Sequence, residues 1–406
     1  MPLAFHHHRL ANGLTLIAEA DPDANSSAIG FFVRTGARDE DTRLMGVSHF
    51  LEHMMFKGTA DLSAERLNQA FDRIGARNNA FTSNEMTCFY AHVLPEHLGE
   101  ATDLLARMMR PALRQADFDT EKGVILEEIA MYKDNPFWNL YEASLERHFG
   151  AHPLGHRVLG TTQSITDLTR DQMHAYFDAR YSADNTVVAL AGRLDFARVV
   201  EQVEALCGAW TATDPHRDNR PPRLEGGEVE LRDAKVNRAY LLGLREAPGA
   251  ADERRYAASL LGQLVGAADN SLLHWALIEP GIAEEAQASY SGHDGFGEFF
   301  VFASGDPDRA QEIWSIVRQQ TQAAARSATN DDLTRLRNKF ATAATLGAER
   351  PHDRMHRLGQ MWLYLREYCP LAEELSRIER VRLDEVRVLA DTLGDGPRTF
   401  GRLRPA

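Results

Sequence analysis

The stretch "GVSHFLEHMMFKG", residues 46–58, decides how the rest of the chain is read. It is apolar enough to belong to a core, yet it carries His49, Glu52 and His53 within five positions. Positions i, i+3 and i+4 of a helix share a face. A helix here therefore projects the three polar side chains together, while Val47, Phe50, Leu51 and Met54 supply the apolar side. Two imidazoles one turn apart can both reach one metal ion at the about 2.0–2.1 Å that zinc prefers. Glu52 stands beside such an ion rather than on it, where a base takes a proton from metal-activated water. The competing reading is a buried histidine pair hydrogen-bonded to Glu52, with no metal.

A catalytic zinc usually has three protein ligands and one open position. The segment "DTEKGVILEEIAMY", residues 119–132, offers Glu121, Glu127 and Glu128 on one expected helix. Glu121 and Glu128 are two turns apart and face the same way, whereas Glu127 lies about 100° round from Glu128. That shared face can place one carboxylate on the metal and the other next to it. A run of glutamates is also what an ordinary solvated helix face contains.

The 406 residues suffice for two or more domains with their own cores. A net charge of -14 argues against a nucleic-acid binder, which needs a basic footprint, and against an anionic membrane surface. Cys88, Cys207 and Cys369 lie far apart with no Cys-x-x-Cys, so neither a cysteine zinc site nor a disulfide framework is indicated. A reducing, cytoplasmic compartment is the expectation. The N-terminal residues do not read as a signal peptide, and no apolar run is long enough to cross a bilayer. His6, His7 and His8 read as a solvated strand edge.

Strand-like segments ("NGLTLIAEA", "SSAIGFFV", "NNAFTSNEMTCFYAHVL", "NTVVALAGRL") alternate with amphipathic helical ones up to about residue 210. Residues 211–228, "TATDPHRDNRPPRLEGGE", are rich in proline, charge and glycine and read as a linker. Residues 229–406 then repeat the order strands, helix, strands, helices. The expected architecture is α+β: two homologous halves, 1–210 and 229–406, each a mostly antiparallel sheet covered by helices. Only the first half holds the His-x-x-Glu-His pattern.

"HFLEH" is the inverted zincin motif. With a glutamate roughly 75 positions further on, the chain resembles the zinc metallopeptidases of the pitrilysin, insulysin and mitochondrial processing peptidase family. The blocks "GARDE", "NAFTSNEMTCFYA", "VILEEIAMYKDNP", "HPLGHRVLG" and "YSADNTVVALAG" occur in family order, and "ALIEPGIA" extends the likeness into the second half. The resemblance implies one zinc per chain on His49, His53 and Glu128, Glu52 as general base, and Glu121 as a partner behind the ligands. It implies an extended peptide substrate added as a strand at "NNAFTS", through Asn79, Ala80, Phe81 and Thr82. Tyr290 in "ASYSGHDGFGEFFVF" matches a substrate-holding tyrosine, but the arginine that accompanies it in the family is missing. The chain is similar to short bacterial-type members whose chamber needs two chains, so a homodimer or a heterodimer with a family partner is expected. A non-catalytic partner or scaffold subunit of the family is the alternative.

Overall fold

The computed structural model describes residues 3–406. In chain order the strands are β1 (Ala4–Arg9), β2 (Thr15–Ala20), β3 (Ser27–Val33), β4 (Arg77–Thr82), β5 (Thr87–Val93), β6 (Thr186–Gly192), β7 (Gly227–Arg232), β8 (Ala239–Ala247), β9 (Glu285–His293), β10 (Phe296–Gly305) and β11 (Thr399–Arg404). The helices of the first half are α1 (Val47–Met55), α2 (Ala64–Arg73), α3 (Leu98–Met108), α4 (Gln115–Lys133), α5 (Pro136–Phe149), α6 (Thr162–Asp167), α7 (Arg170–Arg180) and α8 (Phe196–Cys207). Those that follow are α9 (Arg255–Gly266), α10 (Ala310–Ser327), α11 (Asn330–Ala348), α12 (Pro351–Leu365), α13 (Leu371–Arg380) and α14 (Leu383–Gly394). No helix among the described residues is long and apolar enough to cross a membrane.

The chain forms two compact units. The first is built on a six-stranded sheet in the order β1-β2-β6-β3-β5-β4, antiparallel except for the parallel pair β2–β6. Strands β3 and β6 are buried along their whole length, as their unbroken apolar sequence requires of strands covered on both faces. The edges are β1, where His7 and His8 are exposed, and β4. Helix α2 starts at Ser63, whose hydroxyl accepts the Arg66 N–H at 3.3 Å, and buries Leu67 and Phe71. The ring of Phe50 on α1 stacks on Phe118 of α4 at 4.8 Å, which ties these two helices together.

Helix α12 covers the sheet with Met355, Leu358 and Leu363, packed on Phe32, Cys88 and Ala189. It approaches so closely that a Cβ at Gly359 would lie 2.4 Å from the Phe32 ring, which is itself fully buried. Gly359→Ala is therefore expected to destabilise this unit by about 1–3 kcal/mol, as overpacking does. Thermal or denaturant unfolding measures it; an unchanged midpoint would mean that α12 sits farther from the sheet.

The second unit has a five-stranded sheet in the order β7-β11-β8-β10-β9, with β7 and β11 parallel and the other pairs antiparallel. This is the order β2-β6-β3-β5-β4 again, with the parallel pair at the same place. The duplication expected from the element pattern is thus present in strand order and direction. Helix α5 lies on β7, β8 and β11, closing over Leu242, Leu244, Phe302 and Leu403 with Leu140.

The units do not divide the chain at 211–228. Residues 131–155 belong with the second sheet, and residues 346–369 belong with the first. Each sheet is covered by a helix drawn from the other half of the sequence, because an apolar helix face specifies burial but not which sheet provides it. Residues 211–226 have no helix or strand, yet they are not a free tether. Arg217 is buried, pairs with Asp39 through Nε at 2.9 Å, and donates to the Glu85 carbonyl at 2.6 Å.

Candidate metal centre

Among the described residues, one set of three His, Cys, Asp or Glu side chains brings ligand atoms within 4.8 Å of one another: His49, His53 and Glu128. Helix α1 presents the two imidazoles one turn apart, with ring centroids 4.7 Å apart. Glu128 Oε2 lies 3.8 Å from His49 Nε2 and 3.7 Å from His53 Nε2. These separations are too long for hydrogen bonds. They suit donors sharing one ion, since two bonds of about 2.0–2.1 Å at a tetrahedral angle hold their ligand atoms roughly 3.4 Å apart. The donor set therefore fits zinc. Burial, with some help from His53, holds His49 down to about 4, so it is neutral at pH 7 and its lone pair is open to a metal. The other His49 nitrogen, Nδ1, is buried without a partner.

His53 Nδ1 hydrogen-bonds Glu121 Oε1 at 2.8 Å, which fixes the ring and leaves Nε2 for the ion. Glu121 is almost fully buried, and its second oxygen meets Lys57 Nζ at 2.5 Å. Burial pushes the Glu121 carboxyl up, but the bonds from Lys57 and His53 outweigh it and hold the group below its usual range. Glu127, the competitor on α4, is exposed to solvent, whereas Glu128 is half-buried. Lys57 was missed in the sequence; its one signal is its position four residues after His53.

Glu52 is not hydrogen-bonded to the histidines as the metal-free reading requires. It accepts the Thr82 hydroxyl at Oε2, 2.6 Å. Burial pushes its carboxyl above the usual carboxylate range against the pull of Thr82 and His53, and nearby Glu128 adds to the rise. That direction suits a group meant to take and return a proton near neutral pH.

Asn79, Ala80, Phe81 and Thr82 all lie on the edge strand β4, but they do not share a face. Side chains alternate along a strand, so Ala80 follows Thr82 toward α1. Phe81 points the other way and stacks on His356 of α12 at 5.6 Å, and Asn79 goes with it to the Tyr90 hydroxyl. Tyr290 belongs to the second unit, on β9, where its hydroxyl donates to the Pro248 carbonyl at 2.8 Å.

Comparison with known proteins gives the family. Residues 15–162 match the insulinase family, peptidase family M16, and residues 167–340 match the family's inactive domain. An uncharacterized zinc protease of Streptomyces coelicolor is 35% identical over 402 residues, 96% of this chain and 87% of that one. Another uncharacterized zinc protease, of Bacillus subtilis, is 30% identical over 386 residues, 94% of each chain. Among solved structures, a protease from Helicobacter pylori superposes with a TM-score of 0.93 over the whole of both chains at 19% identity. A chain of complex III2 from Candida albicans reaches 0.85 at 17% identity over 98% of this chain and 96% of that one. The chain belongs to peptidase family M16, a family of zinc metallopeptidases, and its metal is zinc.

The second unit gives a physical reason for the description of its sequence as an inactive domain. Helix α9 occupies the place after β8 that α1 occupies after β3, but it carries no His-x-x-Glu-His. It also lies directly on β9, where a Cβ at Gly266 would meet the Ala288 nitrogen at 1.9 Å.

Proposed function

We propose that this chain is a zinc-dependent endopeptidase that hydrolyses extended peptides or unfolded segments of protein. The observation that carries the reading is the convergence of two imidazole nitrogens and the Glu128 oxygen at 3.7–3.8 Å, with Glu52 beside them on the same helix face. His49, His53 and Glu128 would hold the zinc, which when bound would supply a Lewis acid to polarise a carbonyl and acidify water. Glu52 takes the proton of the attacking water and returns it to the leaving amine. The Thr82 hydroxyl holds Glu52 in place, and Glu121 with Lys57 behind it holds His53.

The outer edge of β4 receives the substrate main chain as an added strand, which gives affinity without demanding one sequence. A second chain, another copy or a family partner, completes the chamber and supplies the arginine missing near Tyr290. A non-catalytic subunit with this fold would have no use for the complete donor set.

Metal analysis of the purified protein, paired with hydrolysis of an unstructured peptide, tests the proposal. About one zinc per chain is expected, with activity lost to a chelator and restored by zinc. A protein that takes up no zinc is a scaffold instead.

A further inference from the structure

The function accounts for "HFLEH", the second glutamate and the β4 edge, but not for the blocks "GARDE" (36–40) and "HPLGHRVLG" (152–160). Both converge on the first turn of α1. The first N–H groups of a helix lack partners within it, and a capping side chain usually satisfies one or two of them. The residue in the cap position of α1 is Gly46, which has no side chain to do so. It is glycine for two reasons: its φ is +94°, and a Cβ there would lie 2.6 Å from the Leu159 carbonyl of the second block.

The missing cap comes from outside the helix. Glu40, only 4% exposed, accepts the Gly46 N–H at Oε2, 2.7 Å, and the Ser48 N–H at Oε1, 2.8 Å. Both carboxyl oxygens thus serve the start of α1, where an acidic group is also favoured by the helix dipole. Burial pushes the Glu40 carboxyl up to about 8 while the two amides pull it down; in either protonation state each oxygen keeps a lone pair for its N–H. The hydroxyl of Ser48, the residue before the first imidazole, shares a 2.8 Å hydrogen bond with the buried Tyr176 hydroxyl, which shares another of 2.8 Å with Thr35.

We infer that Glu40 is a positioning residue for the metal centre: by capping α1 from six residues upstream it fixes the turn from which His49 meets Glu128. The inference rests on the zinc site proposed above. Glu40 touches neither metal nor substrate, and β4 is held by other contacts, so its loss acts on the geometry of the ligands and not on the substrate edge.

The test compares the full-length protein with Glu40→Gln, which keeps the shape and one acceptor but turns an N–H donor toward the other amide. Zinc affinity is expected to weaken about 10–100-fold, as it does when support behind a ligand is lost. With cobalt(II) in place of zinc the visible absorption band should shift, and kcat for an unstructured peptide should fall with KM unchanged. Glu40→Gln that folds and keeps the wild-type zinc affinity and cobalt spectrum overturns the inference and leaves the proposed function standing. Wild-type protein that binds no zinc overturns both. If the variant does not fold, amide exchange in the wild type decides: slow exchange at Gly46 and Ser48 supports the cap, and exchange at loop rates overturns it.

Discussion

Glu52→Gln is expected to leave the zinc content unchanged and to lower kcat for peptide hydrolysis by about 10²–10⁴-fold, the range that one positioned proton-transfer group supplies. Glutamine has the same shape, and its carbonyl oxygen can go on accepting the Thr82 hydroxyl that now sits 2.6 Å from Glu52 Oε2. Strand β4 therefore keeps its place, and KM should change little. Under the proposed mechanism the change removes only the ability to hold a proton between the attacking water and the leaving amine. Zinc content and steady-state kinetics on one unstructured peptide measure both effects. Normal turnover by fully zinc-loaded Glu52→Gln protein would show that another group carries the proton.

Some of this centre was legible in the sequence because its signals are local. The spacing of His49, Glu52 and His53 and the apolar residues between them specify a helix and its buried side within one short segment. The two-turn spacing of Glu121 and Glu128 does the same for α4. What the sequence hid depends on partners distant in the chain. Lys57 meets Glu121 across 64 positions, and its place one turn after His53 does not say which carboxylate it meets. The exchange of α5 and α12 between sheets was hidden because an apolar face fits either one. Residues 211–228 read as a tether because composition counts every charge as solvated. Arg217 can be buried there because it pairs with Asp39 and donates to the Glu85 carbonyl. On β4 the edge position was legible, but not which side chains face the centre: the pleat sends Ala80 and Thr82 toward α1, and Phe81 away from it to His356.

The choice of Glu128 over its neighbour gives the second large effect. Glu128→Gln should weaken zinc binding by more than the roughly 10–100-fold expected for Glu121→Gln, because it removes an anionic donor and not its support. Glu127→Gln should bind zinc like the wild type, since Glu127 is exposed and about 100° round the helix. The ordering matters more than any single value, because any buried carboxylate near two imidazoles could weaken a metal site when it is lost. Zinc that binds only the folded protein also raises its unfolding free energy, by about 2.7 kcal/mol at a hundredfold excess over Kd. The zinc-induced rise in Tm should therefore nearly vanish in Glu128→Gln at zinc levels that saturate the wild type, shrink in Glu121→Gln, and persist in Glu127→Gln. Competition against a chelating dye gives the affinities independently of folding. Equal losses at positions 127 and 128 would remove Glu128 as the third ligand, since an exposed side chain on another face cannot reach the ion that the two histidines hold.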